Sequence, residues 1–260
     1  PSTPPVAPKN GKETASVPST LPFPPLSSNG LGLIQETLAH HPFQLLVAVT
    51  LLNKTRGSVA IPVFHALMNQ FPDPEQLSHA SVEEVESMIG TLGLQRVRAK
   101  GLVSMAKLWL ENPPTKGVRY GKRGYPVAAK SFDSLSKGPR RTPLVRDGEV
   151  IDDEVVGGRI NCAWEIAHLP CVGAYALDSW RIFCRDELRG VATGYNGEGQ
   201  VDDGDVTVPF EPEWMRVQPT DKELRAFVRW MWLKEGWIWN PETGEREVAG
   251  QELLERAERG

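Results

Sequence analysis

The sequence predicts an all-α fold interrupted by irregular insertions. Three observations carry this expectation. Apolar residues recur at three- and four-residue spacing over 31–110, 160–188 and 220–233. Capping boxes at Ser81-Val-Glu-Glu84 and Thr220-Asp-Lys-Glu223 mark helix starts, because a hydroxyl and a carboxylate three residues on satisfy each other's free backbone amides. No stretch alternates apolar and polar residues as a half-buried strand must.

Residues 1–28 hold eight prolines and little apolar periodicity, too little to offset the entropy of ordering, so a disordered tail is expected there. Leu31, Ile34 and Leu38 then share a helical face, and Pro42 suits the first turn of a second helix running to Leu52. A third helix covers 57–70, with Pro62 near its start, and a fourth opens at Ser81. Gly90 and Gly93 bracket a turn. Residues 95–110 form a long helix in which Val97, Leu102, Val103 and Leu108 make an apolar stripe beside Arg96, Arg98, Lys100 and Lys107. Asn112-Pro113-Pro114 ends it. Residues 113–159 lack any period and read as a basic-to-acidic insertion, and 190–213 as an acidic loop. Between them, a helix to about His168, a tight turn at 169–174 and a helix to about Leu188 are expected. The helix opening at Thr220 places Leu224, Phe227, Trp230, Met231 and Leu233 in the core, with Trp230, Trp232, Trp237 and Trp239 as core and lid. Residues 29–240 thus form the main domain and 241–260 a helical tail.

The chain has 260 residues, 40% of them apolar, ample for a core, and no run of about 18 apolar residues for a membrane helix. No membrane role is expected. Cys162, Cys171 and Cys184 cannot make a disulfide framework, which suggests a reducing compartment. Asp202-Asp203-Gly204-Asp205 is too short for an EF-hand and reads as a solvated loop. The net charge of −4 hides an asymmetry: the balances are −3 over 1–90, +11 over 91–146 and −12 over 147–260. A basic centre between acidic flanks could meet a polyanion on one face.

The most informative stretch is Leu169-Pro-Cys171-Val-Gly173-Ala174-Tyr175, followed by Ala-Leu-Asp178. A sharp turn opening a helix points free amides outward, and the helix dipole favours an anion there, so the backbone at Gly173–Tyr175 could hold a phosphate without a charged side chain. Asp178 is placed to face the same ligand. It could be a helix cap, or an ionised carboxylate stabilising positive charge on a sugar.

This stretch resembles a helix-hairpin-helix motif. With Leu33-Ile-Gln-Glu-Thr-Leu38, Leu51-Leu-Asn-Lys-Thr55, Ala60-Ile-Pro-Val63, Leu92-Gly-Leu94, Arg98-Ala-Lys100 and Asp178-Ser-Trp-Arg-Ile-Phe-Cys184, it is similar to the glycosylase domain of the methyl-CpG-binding thymine/uracil mismatch DNA glycosylases, within the helix-hairpin-helix superfamily. The resemblance spans about half the chain. It implies a two-lobed glycosylase fold with Asp178 as catalytic carboxylate and Leu169, Cys171, Gly173, Ala174 and Tyr175 gripping the phosphate backbone. It further implies Gln35 and Trp109 at the base pocket, with Lys54 and Leu94 filling and wedging the gap a flipped nucleotide leaves. The implied partner is double-stranded DNA carrying a mismatched or damaged base, and the implied protein is nuclear and monomeric.

Three departures bear on that reading. Cys171 stands where glycine is usual, Trp109 where the family has a pocket tyrosine, and Lys54 where it has an arginine, which loses the planar fork. The insertion 113–159 is a further difference and carries ten Lys/Arg from Lys116 to Arg159. Bifunctional relatives place a Schiff-base lysine about twenty residues before the Asp, where this chain has Gly157, Gly158 and Arg159, so a monofunctional hydrolysis leaving an abasic site is expected. Only Cys184 follows Asp178, against the four thiolates of an iron–sulfur cluster, and His40, His41, His65, His79 and His168 lack ligand spacing. The expectation is no iron–sulfur cluster, no zinc and no other metal. An oxidised or alkylated base as substrate, or DNA binding without catalysis, are the alternatives.

Overall fold

The computed structural model describes residues 18–122, 124–126, 155–156, 159–160, 163–200 and 210–259, with the backbone alone at 155–156 and 159–160. Helix α1 is one turn, Ile34–Thr37, shorter than the periodicity predicts. Glu36 fixes its entry by accepting the amides of Leu31, Gly32 and Leu33 at 2.9, 2.7 and 2.6 Å, and Gly32 supplies the φ of +99°. Helix α2 (Pro42–Leu52) is apolar on every side, and every residue from Leu45 to Leu51 is buried. Its neighbours are α3 (Gly57–Gln70), α6 (Gln95–Glu111) and α7 (Ala174–Phe183), while α4 (Pro74–His79) and α5 (Val82–Met88) lie on α6. Helix α8 (Arg185–Arg189) follows α7, and α9 (Lys222–Lys234) opens at Asp221, which accepts the amides of Glu223 and Leu224. Helices α2–α6 form one lobe; α1, α7, α8 and α9 form the other, with α2 buried between them. The all-α class stands as predicted, with only short two-stranded ribbons beside the helices.

The differences are local. Helix α4 has no counterpart in the predicted elements, although Asp73-Pro74 is a start signal and Asp73 accepts the Gln76 amide at 2.8 Å. The helix expected over 160–168 is instead a strand residue pair and turns. Ala163–Trp164 (β4) pairs antiparallel with Tyr120–Gly121 (β1), Trp164 opposite Tyr120. Every residue of 163–169 is buried, Glu165 and His168 included, so the segment has no solvent face from which a helical period could be read. The helix expected to continue to Leu188 breaks at Cys184, φ −124° and ψ −21°, into α7 and α8. Two further ribbons, Val155–Val156 (β2) with Arg159–Ile160 (β3) and Trp237–Trp239 (β5) with Arg246–Val248 (β6), are too short to alternate visibly in sequence. Helix α10 (Gln251–Glu258) then gives the predicted helical tail its one helix among the described residues.

Residues 18–28, expected in the tail, are seated against the fold: the Ser19 hydroxyl and the Thr20 amide and hydroxyl all donate to Glu223, and Ser27 donates to Glu258. Trp230, Trp232 and Trp239 are core residues, and Trp237 is exposed. Glu213, at the end of the expected acidic loop 190–213, is buried in a 3-10 turn, Glu213–Arg216. Residues 1–17, most of the insertion and the Asp202–Asp205 loop lie outside the described residues.

Candidate active site

Asp178 is the fifth residue of α7, so it is not a cap; that position belongs to Gly173. Its side chain faces inward and is 3% exposed. The Tyr125 hydroxyl donates to Asp178 Oδ1 at 2.7 Å, and the backbone N–H of Thr220 donates to the same carboxylate. Burial pushes the carboxyl up to about 6, against the Tyr125 hydrogen bond and the Arg181 charge, both of which favour the ion. At neutral pH it is therefore a buried carboxylate with a proton affinity well above that of a surface aspartate.

Behind it runs a buried polar chain. Arg181 Nη1 donates to the Tyr125 oxygen at 3.3 Å, Nε to Glu213 Oε1 at 2.6 Å and Nη2 to the Arg216 carbonyl at 3.3 Å, with its guanidinium 4.3 Å from the Trp164 ring centroid. Arg185 pairs with Glu213 at 2.9 Å and with Glu165 at 3.3 Å, and Arg119 lies 3.5 Å from Glu165. Burial alone would raise the Glu213 carboxyl, but Arg181 and Arg185 outweigh it and hold it below the usual range. Buried charges this well paired are costly to break from one side, since removal of a partner strands an ion.

A cavity of about 520 Å³ lies beside the start of α7; Asp178 itself does not line it. Tyr175, one turn before Asp178, and Thr220, whose amide binds it, form the shared wall. Gln35 is 1% exposed and donates its amide to the Tyr175 hydroxyl at 2.8 Å. Lys54, Asp221 and Glu223 lie around the same cavity, and Thr20 and Leu21 of the N-terminal segment close one side. The volume falls in the range of small-molecule pockets.

Three non-glycine residues of the described chain have positive φ: Lys54 at 58°, Leu94 at 60° and Cys171 at 63°. All three are residues the sequence singles out for DNA contact. Left-handed backbone costs a non-glycine residue about 1 kcal/mol or more, and such strain gathers where function requires a side chain to be held out. Lys54 is exposed, and Leu94 is 67% exposed at the N-cap of α6, which excludes core packing for it. Val97, expected in the apolar stripe, is also 67% exposed beside it.

Arg98, read as one of the basic residues beside the apolar stripe, is buried. It donates to the Leu51 carbonyl at 3.1 Å, the Asn53 carbonyl at 2.6 Å and the Thr55 hydroxyl at 3.1 Å, fastening the turn that carries Lys54. Cys171 lies along the same helix: a methyl group added at Gly101 would collide with its Sγ. Its positive φ shows that it occupies a glycine-like conformation rather than relieving the turn. Among the remaining hairpin residues, Leu169 is core, Gly173 is exposed with open space where a side chain would be, and Ala174 is half-buried. The Tyr175 side chain turns into the cavity, away from an outward phosphate. Trp109 does not line the cavity; its ring meets Phe43 edge-on at 5.3 Å. The tyrosine at the carboxylate is Tyr125, from the insertion, which no sequence period could have indicated. Among the described residues, no group of three or more His, Cys, Asp or Glu is arranged for a metal ion, and Cys162 lies outside them.

This inward-facing carboxylate behind a hairpin and beside a pocket belongs to a known class. Residues 47–231 match the model of the HhH-GPD superfamily base excision DNA repair proteins, and the chain belongs to that family. It is 36% identical over 66 residues to a thymine-DNA glycosylase of Aeropyrum pernix, covering 25% of this chain and 30% of that protein. It is 35% identical over 69 residues to a thymine/uracil-DNA glycosylase of Pyrobaculum aerophilum, covering 26% and 30%. A methyl-CpG-binding domain protein 4-like protein of Arabidopsis thaliana is 34% identical over 79 residues, 30% of this chain and 18% of that one. The matched stretch is thus under a third of each relative's length.

Proposed function

We propose that this protein is a monofunctional DNA glycosylase that flips thymine or uracil out of G·T and G·U mispairs and hydrolyses the glycosidic bond. The observation that carries the reading is Asp178, a buried carboxylate, ionised at neutral pH, one helical turn from Tyr175, which lines a cavity large enough for a base. Flipping costs a few kcal/mol and least at a mispair, which favours wobble pairs before any pocket contact. Lys54 and Leu94, held out on strained backbone, would fill the gap and wedge beside the orphaned base. The free amides at Gly173–Tyr175 would take a phosphate of the same strand. Gln35, fixed by Tyr175, would hydrogen-bond the base, and Trp109 would act only through Phe43.

As the bond to the base lengthens, positive charge grows on the sugar, and a carboxylate already stripped of water stabilises it strongly and orients the attacking water. The cation set against Asp178 is Arg181, whose guanidinium does not form a Schiff base, so the product is an intact abasic strand. No metal or cluster takes part in this scheme, and the site of action would be nuclear DNA. Single-turnover assays on duplexes with G·T, G·U, G·C and an oxidised-base pair, with and without alkali, test it. Alkali-dependent cleavage at G·T and G·U is expected. Cleavage without alkali would overturn the mechanism, and cleavage confined to the oxidised base would overturn the substrate.

A further inference from the structure

Tyr125 lies in the insertion that separates α6 from the hairpin, a segment whose sequence shows no period. It is nevertheless 3% exposed, packed edge-on against Trp164 at 5.5 Å between ring centroids. Its hydroxyl has two partners with opposite roles: it donates to Asp178 Oδ1 at 2.7 Å and accepts from Arg181 Nη1 at 3.3 Å. Arg181 is itself fixed by Glu213 and the Arg216 carbonyl. A phenol has one proton, and with a cation donating to its oxygen that proton can only point at the carboxylate.

We propose that Tyr125 is a positioning residue for Asp178, holding one carboxylate oxygen with a phenol that Arg181 pins from the other side, so that the insertion completes the active site. This rests on Asp178 being the catalytic carboxylate. The groups facing Asp178 are Tyr125 from the insertion, Arg181 on its own helix, the Thr220 amide before α9 and the Asp221 carboxylate at the α9 N-cap. Of these, Tyr125 and Thr220 donate hydrogen bonds, Arg181 adds favourable charge and Asp221 opposes ionisation. Burial raises the Tyr125 hydroxyl well above the ordinary phenol range, so it stays a donor at every pH at which Asp178 titrates. Loss of that donor removes support from the ionised form alone.

The test is the carbon-13 titration of the Asp178 carboxyl in the intact protein, read beside the single-turnover pH–rate profile on a G·U duplex. In Tyr125→Phe, which keeps the ring packing on Trp164, the Asp178 midpoint and the acid limb of the rate are expected to move up together by about one pH unit, the usual effect of a lost hydrogen bond to a carboxylate. Site-specific 3,5-difluorotyrosine at 125, a stronger donor with almost the same shape, should move both the other way, which keeps the test sound if the Phe variant unfolds. Midpoints unchanged in both variants would overturn the proposal. A midpoint that moves without the rate limb would uphold the hydrogen bond and place the failure in the assignment of Asp178 as catalyst; Asp178→Asn with undiminished excision would say the same.

Discussion

An aspartate with 3% exposure must lose most of its hydration, and Tyr125, Thr220 and Arg181 favour the charged form of Asp178. Its folded carboxyl, near 6, lies above the ordinary 3.8, so the folded state binds this proton more tightly than the unfolded chain. The associated stability is complete below about pH 4 and is lost as pH rises through about 6. At pH 7.5 the charge is then a cost on the order of 1–3 kcal/mol, and Asp178→Asn should melt higher than the native protein there, with the difference closing near pH 4. Thermal melts at the two pH values check this. Leu94, at 67% exposure, should behave in the opposite sense. Leu94→Ala is expected to leave stability within about 0.5 kcal/mol while slowing mismatch excision, measured by a melt and a single-turnover rate. Asp178 was legible in sequence because its word, Asp-Ser-Trp-Arg-Ile-Phe-Cys, is local. Tyr125 was not, because 53 residues of chain separate it from its partner and only tertiary packing joins them.

At the scale of elements, the helix α6 organises the surface that would meet DNA. Its N-cap is Leu94, its first turns carry Arg98, and Gly101 gives Cys171 room to approach. Arg98 donates three hydrogen bonds into the Leu51–Thr55 turn from a buried position. Arg98→Met should therefore destabilise the protein by about 2–4 kcal/mol and release amide exchange protection in residues 51–55 before the rest of the fold. A uniform loss of protection would contradict a local fastening role. The α6 period was plain in sequence, but the sign of each face was not: Arg98 went inside and Val97 outside, because the turn's bare carbonyls attract a buried guanidinium more than the core needs a valine. Helix α2 was legible from Pro42 and α9 from its polar start, although the cap is Asp221 and not the Thr220 of the expected capping box, and Glu223 binds Ser19 and Thr20 instead. The 160–168 segment was not, since residues 163–168 are buried throughout, Glu165 and His168 included, and a stretch with no solvent face fits buried turns as well as a helix.

Over the whole molecule, charge is sorted rather than balanced. The acidic C-terminal part uses Glu165, Asp186 and Glu213 inside the fold, against Arg119, Arg181, Arg185 and Arg189. These three acids are internal and paired, which the sequence balance alone could not show. Exposed cations such as Lys54, Lys100 and Lys107 remain for an outer polyanion. If about four phosphates are neutralised, the logarithm of the DNA association constant should fall with the logarithm of salt at a slope near −3.6. A flat dependence in a fluorescence titration would remove the basic face from the account. The central claim, that Asp178 excises the base, is tested most directly by single-turnover excision on a labelled G·T duplex with native protein and Asp178→Asn, each read after alkali. The account requires alkali-labile strands from the native protein and none from the variant, with mismatch binding retained by both. Excision by Asp178→Asn at the native rate would contradict it.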